Sequence, residues 1–285
     1  MLVSHSRRLL FYHVPKAAGT TVHRDLQRKI PDAQSYWGRQ EPAHWGHQGP
    51  VDFAHLGVTQ SRALLTDEQF REYLKVCVVR NPLTRLYSAF RDRLAHLSLA
   101  PYTSTTYAST RKRLATKQMS FNVFIRDVLA NVELMEDIEF IHFRPMHTFT
   151  HEDGSCRIDT ILRFENFFSD YRTFLREQGL SQDYASYNLR SARFRLARRR
   201  KEAVLASDAQ NAPVVTRWYE FETTPRLTEV ELGRIGCPPL SPGALAVVER
   251  LYDADFKYFG YDLRAGPASA GSHLVSATRE QHKAV

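Results

Sequence analysis

No stretch of this chain is apolar for the ~18 to 20 consecutive residues that a membrane span requires. The one apolar run near its start, Leu9 to Val14 behind Arg7 and Arg8, reads as a first strand and not as a signal peptide. Cys77, Cys156 and Cys237 are odd in number, widely separated and without a C-x-x-C pair, which argues against a disulfide framework and against a cysteine zinc site. Cys77 lies inside an apolar run and reads as a small core residue. No paired acidic residues mark a metal site. The nucleotide-binding pattern G-x-x-x-x-G-K-[ST] is missing as well, which disfavours a standard ATPase.

What is present is size, charge and alternation. The chain has 285 residues, 43% of them hydrophobic, enough to bury a proper core. We read one domain over residues 1–263, followed by a small, polar, disordered tail at 264–285. A net charge of +8 suits an anionic cofactor or acceptor, and suits nucleic acid equally. The expected order is strand 8–14, helix 19–30, a loop rich in Trp, Gly, His and Pro at 31–50, strand 51–56, helix 66–74 and strand 75–80. Thr66 and Gln69 have the spacing of a capping box. A polar connection at 98–118 follows, then a helix from Ser120 to about Asn131. Strand Ile158 to Phe164, helix Phe167 to Gln178 ended by Gly179, and a last helix from Ser241-Pro242 to about Phe256 complete the pattern. Alternating strands and helices predict an α/β fold with a central parallel sheet and crossover helices.

Two segments carry chemistry. In the first, the apolar strand runs into Pro15-Lys16-Ala17-Ala18-Gly19-Thr20-Thr21. Pro15 ends the strand, Gly19 lets backbone approach an anion closely, and the helix that opens near Gly19 directs its free N–H groups and positive dipole end at the ligand. Lys16 adds a mobile positive charge. In the second, the β-rich run Val76 to Val79 ends at Arg80, Asn81 can cap, and Pro82 suits the first helical position. Leu83, Leu86, Phe90, Leu94 and Leu97 then form an apolar stripe, leaving Arg85, Ser88 and Asp92 on the other face. Arg80 and Ser88 are thereby expected to look out from the carboxyl edge of the strand, where open α/β sheets bind ligands.

These segments resemble the sulfotransferases that use 3′-phosphoadenosine-5′-phosphosulfate (PAPS), particularly their carbohydrate branch that includes the heparan and dermatan 2-O-sulfotransferases. Residues 15–21 look like the family's 5′-phosphosulfate loop. Arg80-Asn81-Pro82 with Arg85 and Ser88 looks like its 3′-phosphate motif, and the similarity continues through Asp159 to Asn166 and Tyr252 to Tyr261. The resemblance implies a P-loop-like three-layer α/β/α fold and PAPS as donor, with 3′-phosphoadenosine-5′-phosphate (PAP) as product. It implies further that Pro15, Lys16, Ala17, Ala18, Gly19, Thr20, Thr21, Arg80 and Ser88 bind the cofactor. Sulfonate carries less charge than a phosphoryl group, so no metal is expected. With no anchor in the sequence, the resemblance implies a cytoplasmic, bacterial enzyme acting on a hydroxyl of a glycan or small molecule, without nucleic-acid partners.

The base should be a histidine, the side chain that titrates near neutrality. His55 is expected at the end of the second strand, between the two phosphate motifs. The resembled branch has a His-Gly-His-Val stretch there that supplies the base; here Asp52 replaces the first histidine and Ala54 precedes the second. His55 and Lys16 are therefore the catalytic candidates. His142 and His147, in a segment similar to an acceptor-side stretch of the family, come second. Trp45 and His47, with Trp37 and His44 nearby, offer an acceptor cleft. His13 reads as a strand residue with a satisfied ring nitrogen, and Glu165 as orienting the site. In the basic run 190–201, Arg193 is a cofactor candidate and Arg198 to Lys201 read as a solvated face. A nucleotide-dependent phosphoryl transferase, or a basic nucleic-acid-binding protein built around that run, remain the competing readings.

Overall fold

The structure, a computed structural model, describes residues 1–37, 39–40, 51–99, 119–183 and 237–263. Trp45, His47, Arg193, the basic run and the tail lie outside them. The chain divides into one compact unit of residues 1–182 and 235–285 and a second of 183–234, of which only Asp183 is described.

Strands β1 (Leu2–Ser4), β2 (Leu9–Tyr12) and β3 (Gln34–Ser35) come from the first part of the chain, and helix α1 (Gly19–Lys29) links the last two. The short strands β4 (Arg39–Gln40) and β5 (Val51–Asp52) pair with each other outside the main sheet. Helices α2 (Val58–Ser61) and α3 (Asp67–Glu72) lead into β6 (Leu74–Val79), and α4 (Pro82–Leu99) follows it. Beyond α5 (Phe121–Val123) and α6 (His147–Thr150) come the hairpin β7 (His151–Glu152) and β8 (Ser155–Cys156), then β9 (Thr160–Arg163), α7 (Phe167–Glu177) and α8 (Pro242–Phe259).

The main sheet has the order β3-β1-β2-β6-β9. Strand β6 pairs in parallel with β2, Phe11 opposite Val76, and with β9, Val79 opposite Arg163. Strands β2 and β6 are nearly continuous buried runs, as a sheet covered by helices demands, while β9 buries only Leu162. Cys77 is buried within β6. The sheet is mixed, not wholly parallel: β1 runs antiparallel to β2 and to β3. A tight turn with Arg8 at φ 48° returns the chain from β1 to β2, and so short a strand, though fully buried, has no readable period.

Local signals place most boundaries. Thr66 Oγ1 accepts from Gln69 N at 3.2 Å while Gln69 Oε1 accepts from Thr66 N at 3.0 Å, completing the capping box of α3. Gly260, at φ 63°, ends α8 and lets Tyr261 N donate to Phe256 O at 2.9 Å. Two elements differ from expectation. The strand expected at 51–56 stops at Asp52, because the Asp52 carboxylate accepts from Ala54 N at 2.9 Å and starts a 3-10 turn over Phe53–His55. The helix expected from Ser120 to Asn131 is α5 followed by a π-helical turn, Phe124–Val128, and a 3-10 turn, Leu129–Asn131.

Arg85 corrects the reading of α4. Its side chain is fully buried, not on an outward face, and donates to the carbonyls of Arg144 at 2.7 Å and His142 at 3.2 Å. Tyr252 of α8 donates to Phe143 O at 2.6 Å, and the buried Asp255 accepts from Met146 N at 2.6 Å and His147 N at 2.8 Å. Two helices therefore clamp the segment 142–147 through its backbone. Arg85→Leu removes the donors of two buried carbonyls and is expected to lower the free energy of unfolding by about 2–4 kcal/mol. Urea denaturation measures this; a loss below ~0.5 kcal/mol, the size of an ordinary surface substitution, would show the clamp to be dispensable.

Candidate active site

The parallel pairing sends three strand ends to one edge: β2 into the loop 13–18, β6 into Arg80-Asn81, and β9 into Phe164-Glu165. In the first loop, Lys16 (φ 64°) and Ala18 (φ 63°) both hold the left-handed conformation, which is uncommon away from glycine and concentrates at functional sites. Helix α1 then opens with no side-chain cap, and the Thr21 amide donates to Ala18 O at 2.9 Å. A Cβ on Gly19 would stand 1.8 Å from the His13 ring, so the helix start seats on His13 only because residue 19 is glycine. Pro15, Ala17 and Thr21 are buried, whereas Lys16, Ala18 and Thr20 are partly exposed.

Arg80 ties this loop to the second motif. Its Nε donates to Thr84 Oγ1 at 3.0 Å, its guanidinium lies 4.1 Å from the centre of the Phe164 ring, and one terminal nitrogen reaches Lys16 O at 3.4 Å. Asn81 caps α4, its Oδ1 accepting from Leu83 N and Thr84 N. Thr84, Ser88 and Asp92 follow at four-residue intervals and share one face of α4. Glu165 braces the motif: Oε1 accepts from Asn81 N at 2.7 Å and Oε2 from the Tyr261 hydroxyl at 2.8 Å. Tyr261, just after α8, thus reaches the Arg80-Asn81 loop through this carboxylate.

The histidines form a contiguous group beside Lys16. His55 is buried; its Nδ1 donates to His13 O at 2.8 Å, which leaves Nε2 as the acceptor, and Nε2 lies 3.3 Å from Nε2 of His142. His142 Nε2 therefore carries the proton donated to His55. The other nitrogen of His142, Nδ1, stands 3.6 Å from Asp92 Oδ2, too long for a hydrogen bond, while Asp92 Oδ1 holds Lys16 Nζ at 3.0 Å. The chain of contacts Lys16, Asp92, His142, His55 joins four separate segments. Asp92 had no assigned role from sequence; its four-residue spacing from Ser88 was the signal that could have found it.

His13 lies between His55, Trp37 and His23, at ring-centre distances of 4.6, 5.6 and 6.2 Å. Its Nδ1 is buried without a hydrogen-bond partner, and its backbone oxygen accepts from His55 Nδ1. Trp37 stays more than half exposed beside these rings. His147 does not join the group: its Nδ1 bonds Asp255 Oδ1 at 2.8 Å, and its ring neighbours are His151 and Tyr258. Among the described residues no set of three or more His, Cys, Asp or Glu side chains is arranged to hold a metal ion.

Burial pushes the imidazoles of His13 and His55 well below their ordinary pKa, so both are neutral in the fold, and mutual repulsion adds to the effect. His142 is lowered by the same desolvation, opposed by Asp92. Unfolded histidine takes up a proton near pH 6.5 whereas these rings do not, so stability is undiminished above that pH and falls as pH drops below it. The protein is therefore expected to be less stable at pH 5 than at pH 7.5. Denaturant titrations at the two pH values test this, and His55→Asn should flatten the dependence; an unchanged slope in that variant would remove His55 as its source.

A family model described as the sulfotransferase family matches residues 1–262. No curated protein and no solved structure gives a significant match. Among the described residues no helix is long and apolar enough to cross a membrane.

Proposed function

Because the chain belongs to the sulfotransferase family, we propose that it moves a sulfonate group from PAPS to an acceptor hydroxyl on a glycan or glycosylated small molecule, using a histidine pair as base. The observation that carries this reading is the meeting, at one sheet edge, of an uncapped helix start, Lys16, Arg80 and two neutral imidazoles. The residues present suit such a donor. The loop 15–21 offers backbone donors and a lysine for its 5′ end, and Arg80 with Ser88 offers a cation and a hydroxyl for its 3′-phosphate. The bound donor supplies the sulfuryl group, whose bond to the phosphate breaks with its electron pair left on phosphate oxygen as the bond to the acceptor oxygen forms.

Lys16 supports that leaving oxygen as charge develops on it. His55, fixed by the His13 carbonyl, accepts from His142 Nε2–H and so keeps the lone pair of His142 on Nδ1, toward Asp92 and Lys16. That lone pair receives the acceptor proton. The role first read onto His55 is thus divided: His142 takes the proton and His55 sets its tautomer, as an orienting partner does for other catalytic imidazoles. Trp37, half exposed over the histidines, offers a face on which a sugar ring can stack.

Isothermal calorimetry with PAP and mass spectrometry of sulfonated acceptors test the assignments. Arg80→Ala should weaken PAP markedly; unchanged affinity would remove the 3′-phosphate role. Lys16→Ala should lower turnover more than it weakens PAP, because its charge counts most as the leaving oxygen develops charge. His142→Ala and His55→Ala should each leave PAP binding within about twofold while reducing turnover by ~10² to 10⁴, the usual contribution of a general base. Near-normal turnover in His142→Ala would return the proton to another group.

A further inference from the structure

Two imidazoles whose Nε2 atoms meet at 3.3 Å stand at the spacing of two donors on one tetrahedral zinc ion, about 3.3 to 3.4 Å for Zn–N bonds of about 2.0 to 2.1 Å. They belong to His55 and His142, whose ring centres are 5.1 Å apart and whose planes cross at 89°. The second nitrogen of a metal-bound histidine usually faces a backbone carbonyl or a carboxylate. Here His55 Nδ1 bonds His13 O at 2.8 Å, and His142 Nδ1 stands 3.6 Å from Asp92 Oδ2. We propose that His55 and His142 form an inhibitory site for an imidazole-seeking divalent transition ion of the Zn²⁺ class, which takes the place of the proton between the two Nε2 atoms and shuts off sulfonate transfer. The site stands on this geometry, and its effect on turnover rests on the reading above.

Both ligands are fixed before an ion arrives. His55 is buried at the end of the turn Phe53–His55, and Arg85 donates to the backbone oxygen of His142 at 3.2 Å. The His142 side chain is 35% exposed, which gives the ion a way in. Two protein ligands are one fewer than catalytic zinc sites use and two fewer than structural ones, so water completes the coordination and the occupant is exchangeable. Imidazole suits zinc, copper and nickel, whereas magnesium and calcium take oxygen donors. The charges of Asp92 and Asp52 favour a cation at His142, and that of Lys16 opposes it. Inhibition follows from the tautomer. The metal–nitrogen bond uses the Nε2 lone pair of His142, so the proton on Nε2 leaves and Nδ1 takes one up; the ring stays neutral. Nδ1–H then faces Asp92 Oδ2, and the lone pair assigned to the acceptor proton is gone.

Calorimetry with zinc chloride and no donor reads the site directly. Wild-type protein should show saturable zinc binding that His55→Gln and His142→Gln each weaken at least about tenfold, since losing a ligand costs no less than losing a ligand's outer hydrogen-bond partner. His147→Gln, outside the pair, should bind zinc as wild type does. Zinc affinity unchanged in both pair variants marks an adventitious ion only and overturns the proposal. Should those variants fail to fold, nitrogen NMR of the wild-type imidazoles decides: zinc should move the Nε2 signals of His55 and His142 together and convert His142 to its Nδ1–H form, and unmoved signals overturn the site. In turnover assays zinc should inhibit, and EDTA should restore the rate. Zinc that occupies the pair and leaves turnover unchanged overturns the inhibitory role. If no sulfonated product forms even without zinc, the functional reading falls, and calorimetry and NMR still judge the site.

Discussion

The parallel pairing of β6 with both β2 and β9 is the constraint on which the site depends. Parallel neighbours end on the same edge, so the residues that follow Tyr12, Val79 and Arg163 come together although the three strands are separated by long stretches of sequence. A one-residue slip would turn Phe11 and Val76 to opposite faces, and both faces of β2 and β6 are covered. The hydrophobic core therefore holds the register, and the register holds the loop 13–18 against Arg80.

Polar side chains inside the fold serve this edge more than they serve the core. Arg85, Tyr252 and Asp255 bind backbone groups of the segment that carries His142, and Glu165 joins the β6 loop to Tyr261. Arg85, Tyr252 and Asp255 would each be costly to bury alone, and each is buried with hydrogen bonds to groups that would otherwise be unsatisfied, whereas Glu165 is half-buried. The same logic explains why His55 is held by a carbonyl: a donor to Nδ1 would have fixed the opposite tautomer and left no acceptor for His142.

Electrostatically the site is built for an anion and carries its own counter-charge. Arg80 bonds Thr84 and lies against Phe164, while Lys16 pairs with Asp92.

Much of this was legible in the sequence because it is local. Caps at Thr66, Asn81 and Ser241, the glycine after α8, and the apolar runs of β2 and β6 depend on residues within a few positions of one another. The antiparallel β1 was not legible, because a three-residue strand is recognised only by what it pairs with, nor was the turn at Phe53–His55, where a single capping carboxylate outcompeted strand propensity. Tertiary structure alone decided which polar side chain of α4 is drawn into the core. Arg85 and Ser88 are both polar, and only the carbonyls waiting at 142 and 144 draw Arg85 inward. It also decided that His142, and not His147, meets His55 across 87 residues of sequence. Helical and strand periods say which way a side chain points from its own backbone; they carry no information about which distant segment stands opposite, and the chemistry of this site lies in those opposing pairs.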